Sequence, residues 1–384
     1  MSVTAALGFQ ASGVAAGLKS NGERDVALVV NDGPFDAAAG VFTANRVKAA
    51  PVLWSQQVLA DGRLRAAVLN SGGANACTGP DGFADTHATA EHVATALGRG
   101  AGEVAVCSTG LIGERLPMPK LLAGIDAAVA ALGVDGAAAA ADAIRTTDTV
   151  AKQAIVRHSD GWTVGGMAKG AGMLAPSLAT MLCVLTTDAQ LDAETVGGSL
   201  RRATAATFDR LDTDGCRSTN DTVLLMASGA TEVSPDPADF ADAVRQVCAE
   251  LAAQLLADAE GATKQVTITV TGAATEQDAV DVARAIARNS LLKCALHGND
   301  PNWGRVLAAI GTTSAAFEPD RLGVAINGVR VCRNGTASAN RQLVDLSGCA
   351  VSIVADLHAG ARSASVWTTD LSPAYATANS AYST

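Results

Sequence analysis

The chain has 384 residues, 48% of them hydrophobic and 17% charged, and carries a formal net charge of −10. That composition can fill a substantial core and excludes a disordered chain, while the length fits roughly two to three domains or fewer if α/β layers pack without a linker. The acidic balance argues against a grip on nucleic-acid phosphates or an anionic membrane surface and favours a small-molecule partner.

Short apolar runs at 26–30, 66–69 and 104–107 predict strands, each followed by turn-forming polar residues or glycine. Alanine-rich stretches at 85–97, 119–132 and 137–144 predict helices between and after them. The second half repeats the habit, with strands expected at 181–186, 223–226, 266–270 and 351–357 and helices at 237–259 and 276–287. The class is α/β or α+β, with layered sheets packed by helices. There is no fixed-period repeat and no long Pro/Ser linker. Eight cysteines are scattered without a C-x-x-C pair or a histidine pattern, so the expectation is reduced thiols, no metal and a cytoplasmic protein. The first 19 residues lack a basic start, and no apolar stretch of about 18 residues follows, so neither export nor membrane insertion is expected.

The most unusual segment runs Gly165-Gly166-Met167-Ala168-Lys169-Gly170-Ala171-Gly172-Met173-Leu174-Ala175-Pro176-Ser177-Leu178-Ala179-Thr180, directly before the apolar run from Met181. Its glycines and proline permit a tight turn that brings a peptide carbonyl against a hydroxyl. Attack of Thr180 Oγ on the Ala179 carbonyl, an N-to-O acyl shift and hydrolysis would free an α-amine on Thr180, with a reference pKa of about 7.7 to 8.0. That amine can then act as the base for its own hydroxyl, which is otherwise a weak nucleophile.

Two phosphate-binding readings fail on geometry. Gly170, Gly172 and Ala175 fit G-x-G-x-x-A, but Pro176 and the strand from Met181 leave no room for the helix that a dinucleotide site must open. A P-loop fails because Lys169 is followed by glycine and not by serine or threonine.

The string from Lys169 to Leu182 closely resembles the processing site of the ornithine acetyltransferase family of arginine biosynthesis. The likeness extends over essentially the whole chain. It includes Gly13-Val14-Ala15-Ala16-Gly17, Asn70-Ser71-Gly72-Gly73-Ala74-Asn75-Ala76-Cys77-Thr78-Gly79, Ser218-Thr219-Asn220-Asp221-Thr222 and His297-Gly298-Asn299-Asp300-Pro301-Asn302-Trp303-Gly304-Arg305. The resemblance implies an N-terminal-nucleophile-like fold of the ornithine acetyltransferase type. It also implies cleavage into an α chain, 1–179, ending at Ala179, and a β chain, 180–384, beginning at Thr180, assembled as an α2β2 heterotetramer.

It further implies a ping-pong exchange in which N-acetylornithine acetylates Thr180, ornithine leaves and glutamate takes the acetyl group. Thr109 and Gly110 are the implied oxyanion donors, a kind of contact whose loss typically costs about 10²- to 10³-fold in rate. Lys169 would hold the α-carboxylate shared by both substrates and Glu260 the ammonium of ornithine, each through a charge-assisted hydrogen bond. Thr146, with Thr147 as the alternative register, and Asn379 and Thr384 at the C-terminus complete the implied pocket. No cofactor is implied, although some relatives take acetyl-CoA as a second acetyl donor, which the sequence leaves open. Two other functions stay in play: a self-processing threonine amidase or aminopeptidase, in which water deacylates the enzyme, and an uncleaved scaffold.

Overall fold

A computed structural model describes residues 2–175 and 181–381, so Pro176, Ser177, Leu178, Ala179, Thr180 and Thr384 lie outside the described residues. The described chain forms three sheets with helices packed between and around them, the mixed α/β layering expected.

The first sheet runs Phe9–Val14, Val26–Asn31, Ala66–Asn70, Val104–Ser108. Its last three strands are buried at every position, which is why they read as unbroken apolar runs with no alternation. The six-stranded sheet runs Thr336–Ala337, Val329–Arg333, Gly323–Ile326, Ala350–Asp356, Gln265–Ala273, Arg362–Thr369. Here Ala350–Asp356 alternates exposed and buried residues, so one face meets the core and the other meets solvent. The helix Glu276–Ala287 covers the buried face. It starts on a reciprocal cap, with Thr275 Oγ1 accepting from Asp278 N at 3.0 Å and Asp278 Oδ2 from Thr275 N at 3.2 Å.

The five-stranded sheet carries the chemistry-bearing segment, in the order Ala38–Phe42, Thr222–Ala227, Leu182–Thr187, Thr163–Lys169, Lys152–Arg157. Leu182–Thr187 and Thr222–Ala227 run parallel, and the other neighbours antiparallel. The boundary expected at 179/180 therefore runs through this sheet, whose strands come from both sides of it. One face is covered by Pro237–Ala257, whose start is capped by Asp236 Oδ1 accepting from Ala238 N at 2.8 Å. Phe240, Val244, Val247, Leu251 and Leu255 form its buried stripe, each contributing about 1.5 to 3 kcal/mol by leaving water.

One local expectation is corrected. Gly165 and Gly166 do not turn the chain; they lie inside the strand Thr163–Lys169. A Cβ on Gly165 would stand 2.0 Å from the Ser2 carbonyl oxygen, and one on Gly166 would stand 2.6 Å from a Leu185 methyl. The glycines serve close packing of the chain on that strand, and the turn begins only at Gly170.

Candidate active site

The strand Thr163–Lys169 ends at a side chain that is almost wholly buried, and its register places Lys169 opposite Leu182, two residues beyond Thr180. The chain on either side of the undescribed segment is thus held side by side. Met181 is fixed further, its N–H donating to Asp221 Oδ1 at 3.1 Å and its carbonyl accepting from Thr222 N at 3.1 Å.

Lys169 Nζ donates to Thr146 Oγ1 at 2.7 Å and to Thr109 Oγ1 at 3.3 Å. Thr109 and Gly110 follow the strand Val104–Ser108, where Thr109 N donates to the Asn70 carbonyl at 3.0 Å. Asn220 pins the same corner, its Nδ2 donating to the carbonyls of Ala74 at 2.6 Å and Ser108 at 2.8 Å. Gly110 has φ of +131°, and a Cβ there would lie 2.8 Å from the Gly73 amide nitrogen. Only glycine fits that backbone and that approach.

At the opposite wall Glu260 lies three residues past the end of Pro237–Ala257, where its own N–H donates to the Ala171 carbonyl at 2.9 Å. Its Oε1 accepts from Thr147 Oγ1 at 2.6 Å and its Oε2 from Asn379 Nδ2 at 3.1 Å. The carboxylate rests against Gly172, where a Cβ would stand 2.6 Å from Oε2. The loop after Glu260 is anchored by Asp370, which accepts from Thr263 N at 2.8 Å, Lys264 N at 2.9 Å and lies 2.8 Å from His297 Nδ1.

These side chains line one small cleft of about 60 Å³: Thr109, Gly110, Thr146, Thr147, Lys169, Glu260 and Asn379 all face it. Thr146 and Thr147 take different walls, the first on the lysine and the second on the glutamate. A larger apolar cavity of about 470 Å³, between Pro237–Ala257 and the six-stranded sheet, is lined by no titratable residue. Among the described residues no cluster of three metal-ligating side chains exists, and all eight cysteines are free.

The electrostatics of the cleft are set by burial. Burial lowers the Lys169 ammonium from its ordinary range, opposed by the charges of Asp148, Asp221 and Glu260. Burial raises Asp148, but Lys169, Lys152 and the Gly170 N–H outweigh it and hold the carboxyl below its usual range. Asp221 goes the other way: burial pushes it well above the ordinary carboxylate range, against the Met181 N–H and the Ser218 and Thr43 hydroxyls that favour its charged form. Asp148, Lys152, Asp221 and Asp258 were not assigned from sequence. No local pattern marked Asp148, which accepts from the Thr146 N–H two residues before it, opposite to the usual aspartate turn that takes the N–H two residues after.

The sequence pattern of the ArgJ family matches residues 10–384. The arginine biosynthesis bifunctional protein ArgJ of Thermobifida fusca (strain YX) is 66% identical over 384 residues, covering all of both chains. The chain belongs to the ArgJ family. The ArgJ protein of Streptomyces avermitilis is 67% identical over 383 residues, again across the full length of both. The crystal structure of the ArgJ protein of Bacillus halodurans is 35% identical, with a TM-score of 0.50. That match covers 52% of this chain and 98% of the crystallised one. The ArgJ relationship accounts for the long motifs noted in the sequence, and among the described residues no helix is long and apolar enough to cross a membrane.

Proposed function

We propose that this acyltransferase of arginine biosynthesis cuts itself between Ala179 and Thr180 and then carries acetyl from N-acetylornithine to glutamate on Thr180. Thr180 Oγ attacks the acetyl carbonyl, and the C–N bond breaks as the departing amine of ornithine takes the proton. The α-amine of glutamate then attacks the acetyl ester, releasing N-acetylglutamate and restoring the hydroxyl. Each tetrahedral oxyanion is met by Thr109 Oγ1 and the Gly110 N–H, and the freed α-amine of Thr180 serves as base.

The observation that carries this function is the pairing of opposite charges across one cleft. Lys169 with the Thr109 and Thr146 hydroxyls forms one wall, and Glu260 with Thr147 and Asn379 forms the other. An amino acid with an α-carboxylate and a distal ammonium matches that polarity. Beside Lys169, Leu182 pairs with it across the sheet, and Met181, the residue that follows Thr180 in sequence, is held by Asp221 and Thr222. The Bacillus halodurans match gives further support, since a polypeptide aligned over nearly its whole length spans only about half of this chain, near the share that 180–384 would make. The two pieces assemble as an α2β2 heterotetramer in the cytoplasm, where free thiols stay reduced.

The decisive experiment measures ornithine release from N-acetylornithine with and without glutamate. Release that requires glutamate, with N-acetylglutamate formed in equal amount, supports the transferase. Release at an unchanged rate without glutamate makes the enzyme an amidase. Acetyl-CoA supplied as the sole donor tests whether the chain also makes N-acetylglutamate without acetylornithine.

A further inference from the structure

Both ends of the contact between Lys169 and Thr146 are tied to one carboxylate. Asp148 Oδ2 accepts from Thr146 N at 3.1 Å, and Oδ1 accepts from Gly170 N, the amide directly after Lys169, at 2.6 Å. A third bond comes from Lys152 Nζ, 2.6 Å from Asp148 Oδ1. Lys152, whose side chain is fully buried, reaches with the same nitrogen to Asp258 Oδ2 at 2.6 Å, and Asp258 in turn accepts from Thr149 N at 2.9 Å. The Thr149 hydroxyl also donates to Asp258.

We infer that Asp148 is a positioning residue of the acyl-transfer site, setting where the Lys169 ammonium and the Thr146 hydroxyl stand relative to each other. This rests on Lys169 being the partner of the substrate α-carboxylate, as proposed above. Were Asp148 present only to neutralise Lys152, its bonds would go to that lysine, which Asp258 already balances. Two of its three bonds go instead to the backbone of the substrate cleft. Because Asp258 lies beyond the proposed cut and Asp148 before it, the same cluster also fastens the Thr146–Thr149 loop to the other half of the chain.

The cluster has an electrostatic consequence that a purely structural aspartate lacks. The charged groups acting on Lys169 are Asp148, Asp221 and Glu260, which favour its protonated form, and Lys152, which opposes it. Neutralising Asp148 removes support for the ammonium, and neutralising Lys152 removes a competitor.

The test is the pH dependence of kcat/KM for glutamate and N-acetylornithine in purified full chain, comparing wild type with Asp148→Asn and Lys152→Gln. In Asp148→Asn the alkaline fall of kcat/KM moves to lower pH by about one unit, and in Lys152→Gln it moves to higher pH. A structural role would lower activity by one factor at every pH. Limbs that stay in place, or that move in the same direction in both variants, overturn the inference. Should Asp148→Asn yield no folded protein, Asp148→Glu decides: it keeps the charge but displaces the carboxylate, so KM raised severalfold with the alkaline limb little moved supports the inference, and an unaltered KM sinks it. A wild type that shows no glutamate-dependent exchange would instead refute the proposed function, so the two failures are told apart.

Discussion

The Thr147 hydroxyl donates to Glu260 Oε1 at 2.6 Å across 113 positions of sequence, which places a carboxylate at the end of the cleft opposite Lys169. Replacing the charge while keeping the acceptor isolates its effect on the two substrates. In Glu260→Gln the KM for N-acetylornithine rises about tenfold or more, the scale of a hydrogen bond to a charged group. The KM for glutamate, whose distal group is itself anionic, stays unchanged or falls. Steady-state kinetics with each substrate varied separately checks this, and equal increases for both would count against an ammonium subsite.

Thr109 lines the cleft with a hydroxyl that accepts from Lys169 and that is proposed above as an oxyanion donor. Thr109→Val keeps the shape of the side chain and removes the donor, and kcat falls about 10²- to 10³-fold. Thr109→Ser retains most activity. Gly110→Ala is worse than either, because its Cβ would press on Gly73 from a backbone angle that alanine rarely adopts. A Thr109→Val enzyme with unaltered kcat would remove this residue from the oxyanion site.

Thr180→Ala leaves a single polypeptide of full length and no turnover, whereas Thr180→Ser retains part of both cleavage and activity. Intact mass under denaturing conditions, with N-terminal sequencing of any second fragment, reads the result directly. A second chain beginning at Met181 or elsewhere would displace Thr180 from the role of nucleophile.

Asp212 supplies a prediction about stability. Its side chain is fully buried beside Arg288 Nε at 2.8 Å, yet burial outweighs that partner and pushes the carboxyl up to about 6. A folded-state value above the unfolded one, about 3.9, means the native chain holds the proton more tightly. The contribution to stability is therefore full below about pH 4 and is lost as pH rises through 6, a loss on the order of 3 kcal/mol. Urea midpoints between pH 4 and 7 should fall more steeply for the parent than for Asp212→Asn, both in an uncleaved Thr180→Ala background that keeps unfolding a one-chain process. Parallel curves would contradict this.

Much of the fold was legible because burial on both faces leaves an unmistakable trace. The runs at 66–69 and 104–107 appear as Ala66–Asn70 and Val104–Ser108, and the helix Glu276–Ala287 has the expected bounds because its cap and its 3.6-residue stripe agree. Thr163–Lys169 was hidden because two glycines in a row normally signal a turn, and the close approach of Ser2 that requires one of them comes from the far end of the chain. The helix Ala193–Ala206 was hidden by Gly197-Gly198 and Arg201-Arg202, which dilute its apolar period. Within the site, Lys169 and Glu260 could be singled out only through resemblance, since an isolated charge carries no local signal. Lys152 and Asp258 could not be paired at all from sequence, being 106 positions apart and joined only by the packing of Pro237–Ala257 on its sheet.

The five-stranded sheet interleaves Ala38–Phe42, Thr163–Lys169 and Lys152–Arg157 from before the proposed cut with Leu182–Thr187 and Thr222–Ala227 from after it. Severing the peptide bond between 179 and 180 leaves every one of those ladders intact, so the native shape survives while the polymer chemistry changes. Before the cut, collapse is a first-order event whose halves are tethered. Afterwards, recovery from full denaturation is second order and slows with dilution. Activation would thus make the molecule dependent on its first folding, in the manner of a protein whose persistence is governed by how rarely it opens.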